Sequence, residues 1–148
     1  MEQQLRLGSE VWLKLPYGDL FGQPHNKTNT VFIAGGTGIA PFLSLFTHES
    51  FKEYINPRIY LGFRSKEYNI YQSESNFVKL RENFVELCEP KIYYEDEDGL
   101  IDINRIFSEN GSSSDYFISG PPQMIKTFKQ TLIENGIPVS QVKTDEWE

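Results

Sequence analysis

The feature that most constrains the fold is an apolar run, Thr30–Ala34, that ends in the turn Gly35–Gly38. A continuous apolar run of this length is typical of a strand that is buried on both faces of a parallel sheet. A helical pattern begins at Ile39, with Pro41 in the first turn, where its missing N–H leaves no hydrogen bond unmade. The sequence therefore predicts a buried strand, a glycine turn and a helix in direct succession.

The same alternation continues along the chain. Further strands are predicted at Arg58–Phe63, Lys91–Tyr94, Tyr116–Ile118 and Val142–Thr144, and further helices at Phe77–Phe84, Ile103–Phe107 and Met124–Ile133. Strands that alternate with helices favour a parallel sheet with helices on both faces. We expect an α/β, doubly wound domain with a five-stranded parallel sheet.

Composition excludes several classes of function. The 148 residues suit one domain, and 14 basic against 21 acidic residues give a net charge of −7 with no basic block, so nucleic acid and anionic membranes are not expected partners. No apolar run is long enough to span a bilayer, and the polar start suggests a cytoplasmic protein. A single cysteine, Cys88, argues against a disulfide framework or a multi-cysteine metal site. We expect surface or capping roles for His25 and His48 rather than metal binding.

The glycine turn has two interpretations. Glycines after a buried strand allow backbone N–H groups to approach a phosphate closely at the start of a helix. The alternative is a strand-to-helix turn that needs glycine only for its geometry. The segment is neither a G-x-G-x-x-G fingerprint nor a P-loop, so spacing alone leaves both interpretations open.

The octapeptide Ala34–Pro41 resembles the G-G-T-G-I-A-P signature of the ferredoxin–NADP reductase superfamily. Members of that superfamily carry hydride between a nicotinamide dinucleotide and a flavin. The resemblance implies that this turn and helix start hold the dinucleotide pyrophosphate. The implied contacts are Gly35, Gly36, Thr37, Gly38 and Pro41.

A second turn, Ser119–Met124, resembles the C/S-G-P-x-x-M turn that lies beside the nicotinamide in that superfamily. Ser119 stands where many members have cysteine, and its hydroxyl can still hydrogen-bond near the carboxamide. Because the segment is not G-x-S-x-G, an acyl-transfer role is not expected. The resemblance implies that the nicotinamide is bordered by Ser119, Gly120, Pro121 and Met124.

The chain end is similar to the superfamily's closing pattern G-I … I-x-x-E-x-aromatic. Glu146 and Trp147 match in type, although the aromatic residue follows the acidic one directly. The resemblance implies that Glu146, with Ser119, serves the catalytic centre and that Trp147 lies near the cofactors. The alternative for Trp147 is packing over the edge of the sheet.

The third strand is followed by four carboxylates, Glu95–Asp98. In relatives that use NADPH, a Ser-Arg pair follows this strand, and Glu95 and Asp96 occupy those positions here. Carboxylates would repel the extra phosphate of NADPH and could accept a hydrogen bond from the ribose hydroxyl of NADH, which favours NADH. A solvated acidic loop is the alternative. Arg64 and Ser65, after the second strand, could contact the pyrophosphate or ribose, so NADPH stays open.

Superfamily members place a flavin-binding β-barrel before the dinucleotide domain. Residues Leu7–Phe21 resemble only the last strand of that barrel, so we expect a barrel remnant and linker at 1–29 and the NAD(P)-binding domain at 30–148. The resemblance implies an NAD(P)H:flavin oxidoreductase domain that is inactive alone, with FAD in a missing or separate domain. The alternative is a non-catalytic dinucleotide-binding or interaction module. The sequence does not identify the electron acceptor.

Overall fold

The computed structural model describes residues 7–10, 20–69 and 89–145. The strands in these ranges are β1 (Thr30–Gly35), β2 (Arg58–Phe63), β3 (Lys91–Tyr94), β4 (Asp115–Ser119) and β5 (Val142–Thr144). The α-helices are α1 (Ala40–Phe46), α2 (Glu95–Asp98), α3 (Ile103–Asn110) and α4 (Pro122–Glu134). Short 3-10 segments occupy Gly36–Ile39, Glu49–Glu53, Lys66–Tyr68 and Val139–Gln141. The helix predicted around Phe77–Phe84 lies outside the described residues, as do residues 11–19 of the expected barrel remnant.

The strands form one parallel sheet in the order β3-β2-β1-β4-β5. In the register of this sheet, Ala34 of β1 lies beside Leu61 of β2 and Ser119 of β4. The chain moves outward from β1 to β3 and then returns to β4 on the other side of β1. This reversal places the topological switch point between β1 and β4, where ligands bind in open α/β sheets. The predicted five-stranded parallel sheet is confirmed.

The apolar run of β1 is buried on both faces because each face packs against a separate core. Phe32 and Ala34 belong to the hydrophobic core on the α1 side of the sheet, together with Phe42. Val31 and Ile33 contact the opposite core, to which α3 and α4 contribute. Successive side chains of a strand point to opposite faces, so a strand between two helical layers must be apolar throughout.

The longest helix, α4, confirms the helical stripe expected after the second turn. Ile125, Phe128 and Leu132 are its buried residues. The chain leaves the helix through Gly136, whose φ of +91° is a left-handed conformation that favours glycine. Its N–H donates to the carbonyl of Ile133 at 2.9 Å.

The described residues between 20 and 29 pack against this domain. The ring of Phe21 lies 5.4 Å from that of Phe117 and 5.7 Å from that of Phe42. The backbone N–H of Asn26 donates to the carboxylate of Asp115 at 2.7 Å. The predicted boundary at residue 29/30 remains a prediction. Across the described ranges, no helix is both long and apolar enough to cross a membrane.

Candidate functional site

The two turns predicted from the sequence meet at the switch point. A Cβ atom on Gly38 would lie 2.4 Å from the carbonyl oxygen of Ser119 and 2.5 Å from the backbone nitrogen of Gly120. Atoms cannot approach so closely without displacement of the backbone, so the β1 turn and the β4 turn can touch only when residue 38 is glycine. Close packing of the two turns therefore requires glycine at position 38.

Backbone conformation, rather than packing, favours glycine at position 36. Its φ is +55°, and no atom lies within 4 Å of the position that its Cβ would take. Both Gly36 and the following Thr37 are exposed. The turn therefore offers bare backbone to an approaching ligand, with open space above it. Pro41 lies in the first turn of α1, as expected.

A cleft of about 490 Å³ opens beside these turns, at the carboxyl ends of β1, β2 and β3. Gly35 and Gly62 lie at strand ends that border the cleft, and Met124 and Phe128 contribute from α4. The predicted site residues that line the cleft are Gly35, Gly36, Arg64, Glu95, Pro121 and Met124. Thr37, Gly38, Pro41, Ser65, Asp96, Ser119 and Gly120 are outside its lining.

The cleft has mostly apolar walls that sequence reasoning missed. Leu100 and Ile101 form part of one wall, and α4 adds Thr127. Leu100 is 76% exposed, so its side chain stays accessible at the edge of the cleft. A Cβ on Gly62 would lie 2.7 Å from Cδ1 of Ile101, so Ile101 packs directly on the backbone of β2. The glycine inside the predicted strand was the available sequence signal for this close packing.

Ser119 is fully buried at the end of β4. Its hydroxyl donates to Oδ2 of Asp145 at 3.4 Å, and the N–H of Asp145 donates to the carbonyl of Ile118 at 3.0 Å. Asp145 directly follows β5, which pairs with β4, and sequence reasoning missed it. Glu146 and Trp147 lie outside the described residues.

A second groove, of about 730 Å³, runs along the other side of α4. Gly120 and Asp145 border it, together with Lys126, Lys129 and Ile133. The helix thus separates two concave surfaces that both begin near the turn after β4. Only the first of them contains the glycine turn after β1.

The acidic segment after β3 forms one helical turn, α2, rather than an open loop. The carboxylate of Asp98 accepts a hydrogen bond from the N–H of Tyr94 at 2.9 Å, and that of Glu97 pairs with the Lys66 ammonium at 2.9 Å. The N–H of Asp96 donates to the carbonyl of Arg64 at 3.2 Å. Of the four carboxylates, only that of Glu95 belongs to a residue lining the cleft.

The two histidines have structural contacts. Nδ1 of His48 accepts a hydrogen bond from the N–H of Ser50 at 3.1 Å, which caps a 3-10 segment as expected. Nε2 of His25 lies 2.6 Å from the hydroxyl oxygen of Tyr54, and the two rings stack. Burial raises the pKa of Tyr54 to about 12, so its hydroxyl stays protonated near neutral pH. Within the described residues, no group of three or more His, Cys, Asp or Glu side chains could hold a metal ion.

The geometry defines a doubly wound α/β domain with an open cleft next to its switch point. The model of the oxidoreductase NAD-binding domain family matches residues 32–130, so the chain belongs to that family. The expected membership in the ferredoxin–NADP reductase superfamily is thereby confirmed.

Among curated proteins, the chain is similar to the reductase component of propane 2-monooxygenase from Rhodococcus jostii (strain RHA1), with 28% identity over 163 residues. This match covers 99% of the chain and 43% of that protein. The homologous reductase component from Mycolicibacterium smegmatis (strain ATCC 700084 / mc(2)155) is 27% identical over 159 residues, with 98% and 45% coverage. The chain therefore spans less than half the length of these relatives.

Solved structures share the fold. A flavohemoglobin from Malassezia yamatoensis, with bound FAD and heme, aligns with a TM-score of 0.68 and 22% identity, over 93% of this chain and 38% of that one. The flavohem-like FAD/NAD binding domain of nitric oxide dioxygenase from Vibrio cholerae O1 biovar El Tor aligns with a TM-score of 0.69 and 15% identity, over 89% and 56%.

Proposed function

We propose that the chain binds a nicotinamide dinucleotide, with NADH preferred, and presents its nicotinamide to a flavin held by another domain or subunit. The observation that carries this proposal is the meeting of the β1 and β4 turns at the switch point, beside an apolar cleft. The family match supports the choice of a nicotinamide cofactor over other phosphate ligands. The flavin assignment comes from the resemblance and from two structural neighbours, a flavohemoglobin with bound FAD and an FAD/NAD binding domain.

The residues present fit such a ligand. The open space over Gly36 admits a phosphate to bare backbone, as the pyrophosphate of a dinucleotide requires. Leu100 and Phe128 offer apolar surface for a flat ring, while Arg64 and Glu95 place a cation and an anion in the same cleft. Such walls with a few polar groups are typical of small-molecule sites.

We propose for the site residues the roles that the resemblance implies. Gly35, Gly36, Thr37 and Gly38 would hold the pyrophosphate, and Glu95 would accept a hydrogen bond from the adenosine ribose. Ser119, Gly120, Pro121 and Met124 would border the nicotinamide, with Glu146 and Trp147 completing that end. Asp145 accepts the Ser119 hydroxyl hydrogen bond and so orients that side chain.

When bound, reduced nicotinamide supplies a hydride, which is two electrons and one proton, to the flavin. The chain's contribution is to hold the donor carbon in position and to exclude water from it. No proton transfer from a side chain is required. The electron acceptor stays unassigned, and for this chain we propose only a flavin-binding partner and a cytoplasmic setting.

The test has two parts. Calorimetry should show NADH binding that is tighter than NADPH binding, because the Glu95 carboxylate at the adenosine ribose would repel the extra phosphate of NADPH. Mixing the chain with an FAD-loaded barrel domain and an electron acceptor should then produce NADH oxidation that neither component gives alone. NADH binding without any oxidation would favour the alternative of a non-catalytic dinucleotide-binding module. Absence of NADH binding would contradict both.

A further inference from the structure

The loops after β2 and β3, each of which includes a short helical segment, carry the two charged residues that line the cleft, Arg64 and Glu95. These loops are joined outside the cleft by an ion pair. Nζ of Lys66 lies 2.9 Å from Oε1 of Glu97, and the two side chains are 62% and 51% exposed. Each partner stands two residues after a cleft residue, Lys66 after Arg64 and Glu97 after Glu95.

Two further contacts join the same loops. The N–H of Asp96 donates to the carbonyl of Arg64 at 3.2 Å, which ties the backbone of one cleft residue to the neighbour of the other. The amide of Asn69 donates to the hydroxyl of Tyr94 at 3.0 Å. The Lys66 ammonium also lies 5.8 Å from the centre of the Tyr94 ring. The ion pair is therefore one part of a connection between the two loops.

We propose that the Lys66–Glu97 pair is a latch that positions Arg64 and Glu95 for the adenosine end of the dinucleotide. Lys66 and Glu97 are positioning residues in this scheme, because neither lines the cleft. The inference rests on the proposed function, since it assigns the cleft to a dinucleotide. The hydrogen bond to Glu97 raises the pKa of Lys66, so the lysine remains charged at neutral pH.

When Glu97 loses its charge, the latch and simple charge attraction predict opposite changes in the affinity for the dinucleotide. NADH and ADP-ribose are anions, so removing a nearby carboxylate should tighten their binding if charge alone matters. If the latch orders the two loops, Glu97→Gln should weaken binding instead. An exposed ion pair contributes little, so the expected loss in affinity is about two- to fivefold.

The experiment measures the affinity of the chain for NADH and for ADP-ribose by calorimetry. Lys66→Met and Glu97→Gln should each weaken both ligands, and the charge-swapped variant Lys66→Glu with Glu97→Lys should restore most of the affinity. The matched controls are Lys91→Met and Glu109→Gln. This second pair has a 3.0 Å contact between the beginning of β3 and α3, at the opposite end of the sheet. The controls make the same charge changes and should leave both affinities unaltered.

Three results would overturn the latch. One is a Glu97→Gln variant that binds ADP-ribose as tightly as the wild type or more tightly. Another is a charge-swapped variant that is no better than the single variants. The third is an equal loss in the Lys91 and Glu109 controls. A wild-type chain that binds neither ligand would contradict the proposed function and the latch together. A wild-type chain that binds both ligands, with variants that behave as in one of the three results above, would contradict the latch alone.

Discussion

At the scale of single residues, Gly36 and Gly38 are glycine for different physical reasons. Gly38 must be small because the backbone of Ser119 and Gly120 occupies the space of a side chain. Gly36 is favoured because its φ of +55° is a left-handed conformation, which strains a residue with a side chain. The space beside it is open, so a side chain would meet no other atom. A spacing pattern cannot distinguish these two requirements, yet they predict different consequences of mutation.

Gly38→Ala should destabilise the chain by about 3 kcal/mol, because the added methyl group separates the β1 and β4 turns. Gly36→Ala should cost only about 1 kcal/mol, the strain of a left-handed alanine. Urea unfolding of both variants checks the ranking. A Gly38→Ala variant as stable as Gly36→Ala would show that the two turns do not pack as described.

The end of the sheet shows where the sequence was insufficient at this scale. The resemblance directed attention to Glu146, while the described carboxylate beside Ser119 belongs to Asp145. The register of β5 against β4 brings Asp145 to Ser119, while the role of Glu146 stays a prediction. Register is a tertiary property, and a three-residue strand carries too little pattern to specify it.

At the scale of elements, the loop Gly99–Ile101 borders the cleft and is held at its far end by the start of α3. The carboxylate of Asp102 accepts hydrogen bonds from the N–H groups of Asn104 and Arg105, at 2.9 and 3.4 Å. These are the N-cap contacts that satisfy free donors in the first helical turn. The cap therefore fixes where the loop stops and the helix begins.

Asp102→Ala should lower the free energy of unfolding by about 1 kcal/mol, because two N–H groups lose their acceptor. Asn104→Ala is the matched control, since its backbone N–H remains and its side chain is exposed. Chemical denaturation followed by circular dichroism measures both. Equal stability of the Asp102→Ala and Asn104→Ala variants would argue against the cap.

At the scale of the whole molecule, three buried tyrosines predict an alkaline limit to stability. In the folded chain, mainly because of burial, the pKa is raised to about 12 for Tyr54, Tyr60 and Tyr116. A raised pKa stabilises the fold while the group is protonated in both states. That contribution is complete below the unfolded value of about 10 and is lost as the pH rises from about 10 to 12.

The tyrosine contribution to the free energy of unfolding should therefore be constant up to about pH 10 and should fall above it. Urea titrations at half-unit intervals from pH 8 to 11.5 measure this. Tyr116→Phe should reduce the slope, because it removes one of the three tyrosines whose pKa is raised. A free energy of unfolding that does not fall above pH 10 would contradict the assignment.

The sheet was predictable from sequence because both of its faces are buried, which leaves apolar runs such as Thr30–Ala34. The two turns were predictable because glycine and proline mark them. The walls of the cleft were not, since Leu100, Ile101 and Thr127 come from separate elements that only the folded sheet brings together. Pairing of Glu97 with Lys66 was equally hidden, so the acidic segment looked uniform in sequence although its carboxylates have different contacts.

The proposed function requires the cleft beside the switch point to hold the dinucleotide. We would titrate ¹⁵N-labelled chain with NADH and follow the amide chemical shifts. Binding in this cleft should give saturable shifts at Gly36, Gly99, Leu100 and Thr127. Shifts confined to Lys129 and Ile133, in the groove on the other side of α4, or no shifts at millimolar NADH, would contradict it.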